Sequence, residues 1–201
     1  EFFGQPQVII AGAGTGKTTV MIEKINHLIT KRGFQPNQLM ALTFTNKAAK
    51  ELKHRYLSRS QQKDSPFFGT FHSFCLRYLS GSAHLDRVGL SLPFTIADQQ
   101  QKKDTIQSII TAKQFQFAEN NQSLLSKISF IKQHPPAQHA DLLDKETIQF
   151  KAVFHAYNSQ IKTMGCVDFD DLLLDTYRIF VECPDALAAI QDRFRYVIVD
   201  E

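Results

Sequence analysis

One stretch constrains the chain more than any other. Ala11-Gly12-Ala13-Gly14-Thr15-Gly16-Lys17-Thr18 lies between a β-branched run, Gln7 to Ile10, and an amphipathic helical pattern that begins at Lys17. Small residues in such a turn leave successive backbone N–H groups free to face inward, and the start of the following helix adds its positive end. Both features favour a phosphate. The order strand, glycine-rich turn, Gly-Lys-Thr, helix is the context a Walker A loop requires, so Gly12, Ala13, Gly14, Thr15, Gly16, Lys17, Thr18 and Thr19 are the expected nucleotide-binding residues. Lys17 is expected to act catalytically by neutralising the outer phosphates, and the Thr18 hydroxyl to ligate a bridging magnesium ion. The first position carries Ala11 in place of the usual glycine, which a negative φ tolerates. The loop alone leaves the driven chemistry open, because kinases, GTPases and motors all use it.

The rest of the chain supplies the expected scaffold. After Met21, Ile25, Leu28 and Ile29 at helical spacing, Gly33 marks a stop. Leu39 to Phe44 predicts a strand that leads through Asn46, a plausible N-cap, into a helix over 47–57. Phe67 to Phe71 predicts another strand, followed by a helix over 73–79. Repeated strand-then-helix units imply a parallel sheet. From about residue 94 to 162 the periodicity is helical, with no convincing strand. Asp98 with Gln101 reads as a capping box, Leu124, Leu125, Ile128 and Ile131 form one stripe, and Phe150, Val153, Phe154, Tyr157 and Ile161 form another, ended by Gly165. This region is expected to be a helical subdomain inserted into an α/β one. Asp168 then caps a further helix, Pro184 sits in the first turn of the next, and Tyr196 to Val199 predicts a closing strand that runs into Asp200-Glu201.

Two acids after an apolar strand gain meaning from the phosphate loop. Asp200 is expected to hold magnesium through its water shell, and Glu201 to orient or deprotonate the attacking water. Charge points to a second ligand. The formal net charge is only +3, yet Lys47, Lys50, Lys53, Arg55, Arg59 and Lys63 are opposed in their own stretch by Glu51 alone. Phe44, at the carboxyl end of a predicted parallel strand, is placed to stack on a base, an interaction worth about 1–3 kcal/mol. Asn46 and the helix start beside it could hold a phosphate. His72 could donate to a phosphate or simply cap its helix. Asp168, Asp170 and Asp171 suit a helix N-terminus better than a metal cluster.

Composition excludes several classes. With 43% hydrophobic residues the chain can bury a real core. Cys75, Cys166 and Cys183 are too few and too widely spaced for a disulfide framework or a Cys-x-x-Cys metal site, so buried reduced thiols are expected. No apolar run approaches the ~20 residues that cross a bilayer, and a cytoplasmic protein without membrane contact is the expectation.

Four further stretches, taken with the loop, resemble the UvrD/Rep/PcrA-like superfamily 1 DNA helicases over most of the chain. Leu42-Thr43-Phe44-Thr45-Asn46-Lys47-Ala48-Ala49-Lys50-Glu51-Leu52 and Gly69-Thr70-Phe71-His72-Ser73-Phe74-Cys75 look like that family's DNA-contacting motifs. Asp168-Phe169-Asp170-Asp171-Leu172-Leu173 is similar to its short acidic motif, and Tyr196-Val197-Ile198-Val199-Asp200-Glu201 to its Walker B motif. The resemblance implies a RecA-like P-loop core over 1–84 and 166–201, incomplete at both ends, with a helical 1B insertion over 85–165. It further implies ATP and magnesium as cofactors and DNA contacts from Thr43, Phe44, Thr45, Asn46, Thr70, Phe71 and His72. In the intact parent it implies 3′-to-5′ translocation and unwinding, with single-stranded and duplex DNA and repair or replication proteins as partners. The family's upstream glutamine motif and second RecA-like domain lie outside the sequence, so the piece itself is expected to have little DNA-stimulated ATPase. Alternatives are an AddA/RecB-like helicase-nuclease subunit, a non-catalytic module binding nucleotide or single-stranded DNA, and a small-molecule P-loop kinase.

Overall fold

The computed structural model describes residues 6–10, 12, 15–60 and 64–200. It divides into two compact units, Glu1–Phe71 with Ala188–Glu201, and His72–Leu187.

In the first unit, α1 (Lys17–Arg32) buries Met21, Ile22, Ile25 and Leu28. These side chains recur every three or four residues and so share one face. Gly33 ends the helix with φ +74, a conformation that a side chain would strain, and its N–H caps the Leu28 carbonyl. Three strands follow: β1 (Leu39–Leu42), β2 (Phe67–Gly69) and, late in the sequence, β5 (Tyr196–Val199), with α2 (Asn46–Leu57) between the first two. They form a parallel sheet in the order β2-β1-β5, in which Leu42 is level with both Gly69 and Val199. All four residues of β1 are buried, as a central parallel strand requires. Leu39 and Ala41 pack with the α1 face and with Leu52 and Tyr56 of α2.

Three details depart from expectation. The run Gln7 to Ile10 forms no strand, and Val8, Ile9 and Ile10 are exposed. β-branched residues supply propensity, but a strand exists only through a paired neighbour, and Ile9 and Ile10 share a cavity with β5 rather than a hydrogen-bonded ladder. The expected strands to Phe44 and Phe71 stop at Leu42 and Gly69, because α2 and α3 (Phe71–Leu79) start sooner. The cap of α2 is Thr45, not Asn46. Thr45 is extended, and its hydroxyl accepts from the Ala48 N–H at 3.1 Å, while Asn46 is already helical.

The second unit is mostly helical. After α3 come β3 (Thr95–Ile96), α4 (Gln99–Lys113), α5 (Asn121–Gln133), α6 (His139–Asp144), α7 (Ile148–Thr163), β4 (Cys166–Val167) and α8 (Phe169–Glu182); α9 (Pro184–Arg193) runs across the boundary at Leu187. β3 corrects the strand-free reading of 94–162: it pairs in parallel with β4, too short a ladder to leave a periodicity. The stripe Phe150, Val153, Phe154, Tyr157 and Ile161 is buried throughout and packs with Ile106, Ile109, Leu124, Ile128 and Ile131. A second cluster joins Cys75 and Leu79 of α3 to Leu172 and Ile179 of α8. The capping box of Asp98 and Gln101 is present in both directions. The expected insertion 85–165 lies inside this unit, which also takes in residues 72–84 and 166–187. The three cysteines are free and buried. Among the described residues no helix is long and apolar enough to cross a membrane.

Candidate nucleotide and DNA edge of the sheet

The level register of the three strands puts their carboxyl ends at one edge of the first unit: Thr43 and Phe44 after β1, Thr70 and Phe71 after β2, Asp200 after β5. This is the edge at which open α/β sheets bind ligands. Two backbone bonds hold it together. The Thr43 N–H donates to the Gly69 carbonyl at 2.9 Å, and the Asp200 N–H donates to the Leu42 carbonyl at 2.9 Å.

On the β5 side lies a cavity of about 420 Å³, lined among others by Thr15, Lys17, Lys24, Tyr196 and Asp200. The lysine of the glycine-rich turn and the first acid of the terminal pair, far apart in sequence, therefore face a common space. Gly16 precedes α1 with φ +92, which positions the turn, and the helix start has neither a side-chain cap nor an acidic residue in its first turn. The positive end of the helix dipole there favours an anion. Thr15 closes the turn by donating from its hydroxyl to the Gly12 carbonyl at 2.7 Å. Thr18 and Asp200, both half-buried, offer a hydroxyl and a carboxylate, the hard oxygen donors that magnesium takes. Ala11, Ala13, Gly14 and Glu201 lie outside the described residues.

On the β1 side the exposures separate by role. Thr43 is buried and its hydroxyl donates to the Thr45 carbonyl at 3.0 Å, which fixes the turn, and Thr70 is buried as well. Phe44 is 85% exposed, the reverse of what an aromatic next to a core strand does for stability alone. Thr45 and Asn46 are exposed beside it, and Phe71 is about half exposed. Along α2, Lys47, Lys50 and Lys53 are exposed, whereas Arg55 pairs with Glu51 and Arg59 lies 3.6 Å from Glu23. Lys63 lies outside the described residues. His72 belongs to the second unit, where its ring stands edge-on to Phe169 at 5.6 Å.

The acidic motif of the second unit is a structural clasp. Asp168 caps α8, accepting from the Asp171 N–H at 2.8 Å, and Asp171 accepts in return from the Asp168 N–H at 3.3 Å. Asp170 accepts from the Ser129 hydroxyl at 2.6 Å. Sequence reasoning missed the partner of this pair, Lys132, whose ammonium donates to Asp168 and to Asp171 at 2.7 Å each. A signal was available, since Lys132 stands at i+4 from Ile128 on the buried face of α5. Thr45, expected as a DNA contact, was overlooked as the cap of α2 in favour of Asn46.

The amino-acid sequence matches the family model described as UvrD/REP helicase N-terminal domain over residues 1–201.

The chain belongs to the UvrD/Rep helicase family.

Its relatives include an ATP-dependent DNA helicase PcrA of Staphylococcus aureus, 33% identical over 98% of this chain and 27% of its own length. A probable DNA helicase II homolog of Mycoplasma capricolum is 35% identical over 98% of this chain and 28% of its own length. PcrA of Staphylococcus epidermidis is 33% identical over 98% of this chain and 27% of its own length. The chain thus spans about a quarter of the length of the curated relatives it matches.

Proposed function

We propose that this chain is the ATP-binding part of an ATP-dependent DNA helicase, a RecA-like P-loop core with a helical insertion, and that its parent translocates 3′ to 5′ on single-stranded DNA and separates the duplex. The observation that carries this reading is the cavity shared by Lys17 and Asp200 at the carboxyl edge of a parallel sheet whose next strand end presents an exposed Phe44. In this reading Gly12 to Thr19 cradle the triphosphate, and Lys17 neutralises charge on the outer phosphates as it shifts toward the leaving group. Thr18 and Asp200 would hold magnesium, whose charge offsets that of the phosphate oxygens when it is bound. Glu201 orients or deprotonates water. Thr43 and Thr70 set the strand-end turns, Phe44 and Phe71 stack on bases, and Thr45, Asn46, His72 and the lysines of α2 meet the backbone. Stacking and phosphate contacts are indifferent to sequence, which a motor requires.

The decisive experiment is ATP hydrolysis by the intact parent, with and without single-stranded DNA. DNA should stimulate hydrolysis, and Lys17→Ala should reduce the stimulated rate by about 10²–10³, the scale of losing one charge-stabilising group. Unchanged unwinding by Lys17→Ala would favour a non-catalytic binding module. The 201-residue chain by itself should show little DNA-stimulated turnover, for want of transition-state charges worth roughly 10³–10⁵ in rate.

A further inference from the structure

The second unit buries three carboxylates on one helix face, Asp168, Asp171 and Asp175, at the start of α8 and one and two turns on. Two ammonium groups reach them. Lys132 from α5 bridges Asp168 and Asp171, and Lys162 from α7 donates to Asp175 at 2.8 Å and to the Val88 carbonyl at 2.6 Å. Three carboxylates, all buried, therefore meet two ammonium groups, of which Lys132 is buried and Lys162 partly exposed. Asp175 is 1% exposed, and its second oxygen, Oδ2, has no hydrogen-bond partner among the described residues.

The surroundings offer little further compensation. From α7, Tyr157 donates to Asp168 at 3.4 Å and carries the Lys132 ammonium 5.3 Å above its ring. From α8 itself, Arg178 favours the Asp175 charge from an exposed position, while Asp170 is committed to Ser129 and Gln133 of α5. The short helical turn over Leu85–Val88 brings Asp86 and Arg87, both exposed. From α3 come the Cys75 thiol, engaged with Thr176, and the His72 ring against Phe169.

We propose that this cluster takes up one proton on folding, held on Asp171 or Asp175, and that the bound proton tightens α8 against α5 and α7. An uncompensated buried carboxylate is costly, and neutralising it relieves that cost where the third cation, Arg178, stays in solvent. The electrostatics of the cluster agree. Burial, opposed by Lys132 and reinforced by Asp168 and Asp175, pushes Asp171 up to about 6. Burial likewise raises Asp175 against the pull of Lys162. Asp168 goes the other way: burial opposes its charge, but the Lys132 ammonium and the Asp171 N–H outweigh it and hold it below the usual range.

The sign follows. A carboxyl raised in the folded state contributes stability that is complete below its unfolded value and lost as pH rises through its folded one, here through about 6 for Asp171. Asp168 contributes in the opposite sense, losing its share only in stronger acid. The clasp is tightest near pH 4, above the acid in which Asp168 loses its share, and loosens as pH rises to and through about 6.

Hydrogen exchange of the 201-residue chain, followed by mass spectrometry from pH 5 to 7.5 and corrected for intrinsic exchange, tests this directly. The opening equilibrium of α5, α7 and α8 should rise by roughly tenfold across that range, most of it by about pH 6.5, while α1 changes far less. Asp175→Asn and Asp171→Asn should flatten the slope, and Asp175→Asn should exchange more slowly than wild type at pH 7.5. A wild-type chain without the slope overturns the proposal, with no variant needed. So does a full slope retained in both variants.

Discussion

The strand-end edge of the first unit and the start of α8 in the second both gather charged and polar side chains at the ends of secondary-structure elements, yet they treat them oppositely. At the edge, Phe44, Asn46 and three lysines of α2 face solvent, and the start of α1 has no side-chain cap. At α8, Asp168 and Asp171 are buried, cap the helix reciprocally and share one lysine. A group that finds its partner within the fold contributes to stability. One left facing water at the carboxyl edge of a parallel sheet is available to a ligand, and the same residue chemistry serves either end depending on what packs beside it.

Substitutions can break this contrast. The largest effect is expected at Lys132: Lys132→Ala leaves two buried carboxylates facing each other and should destabilise by about 3–5 kcal/mol in urea unfolding. Lys127, five residues earlier on α5, provides the control. It is paired with Glu119 at 2.8 Å and Glu146 at 3.4 Å, but its side chain is 39% exposed, so Lys127→Ala should cost less than about 1 kcal/mol. Comparable losses at the two lysines would contradict the burial argument. Next comes Phe44→Ala in the parent, which should weaken single-stranded DNA binding by about 1–3 kcal/mol in a fluorescence titration, while nucleotide affinity and melting temperature hold. A drop in melting temperature would make Phe44 a packing residue. The smallest effect belongs to Thr45→Ala, which removes the cap of α2 and should cost about 1 kcal/mol of stability. Asn46→Ala, at a position that caps nothing, should cost less.

How legible all this was depends on the range of the interactions. The buried stripe of α7 could be read from Phe150 to Ile161, because helical burial repeats within a few residues. The Asp98 and Asp168 caps were legible for the same reason: a capping box closes over three residues. Of the candidate site, the sequence revealed the composition of the loop and the acids that end β5. It could not reveal that Lys17 and Asp200 line one cavity, which depends on strand order. Nor did it locate Lys132, since a lysine at a core-facing position reads as a fault in the pattern until its two carboxylates are known, and those lie on another helix. Gln7 to Ile10 shows the converse, with strand propensity present and no ladder formed.

The central strand carries one more implication, for the order of events during synthesis. Leu42 pairs with Gly69 on one side almost at once, but its other neighbour, Val199, follows only after a further stretch equal to about three quarters of the 201 residues. At the usual ~5–20 residues per second that interval is roughly ten seconds or more. Throughout it β1, apolar along its whole length, offers an open row of amides and carbonyls to any strand nearby, the circumstance in which chains adhere to one another. The hydrophobic clusters of the unit from His72 to Leu187 are drawn from its own residues, all of which are made before the strand that completes the sheet.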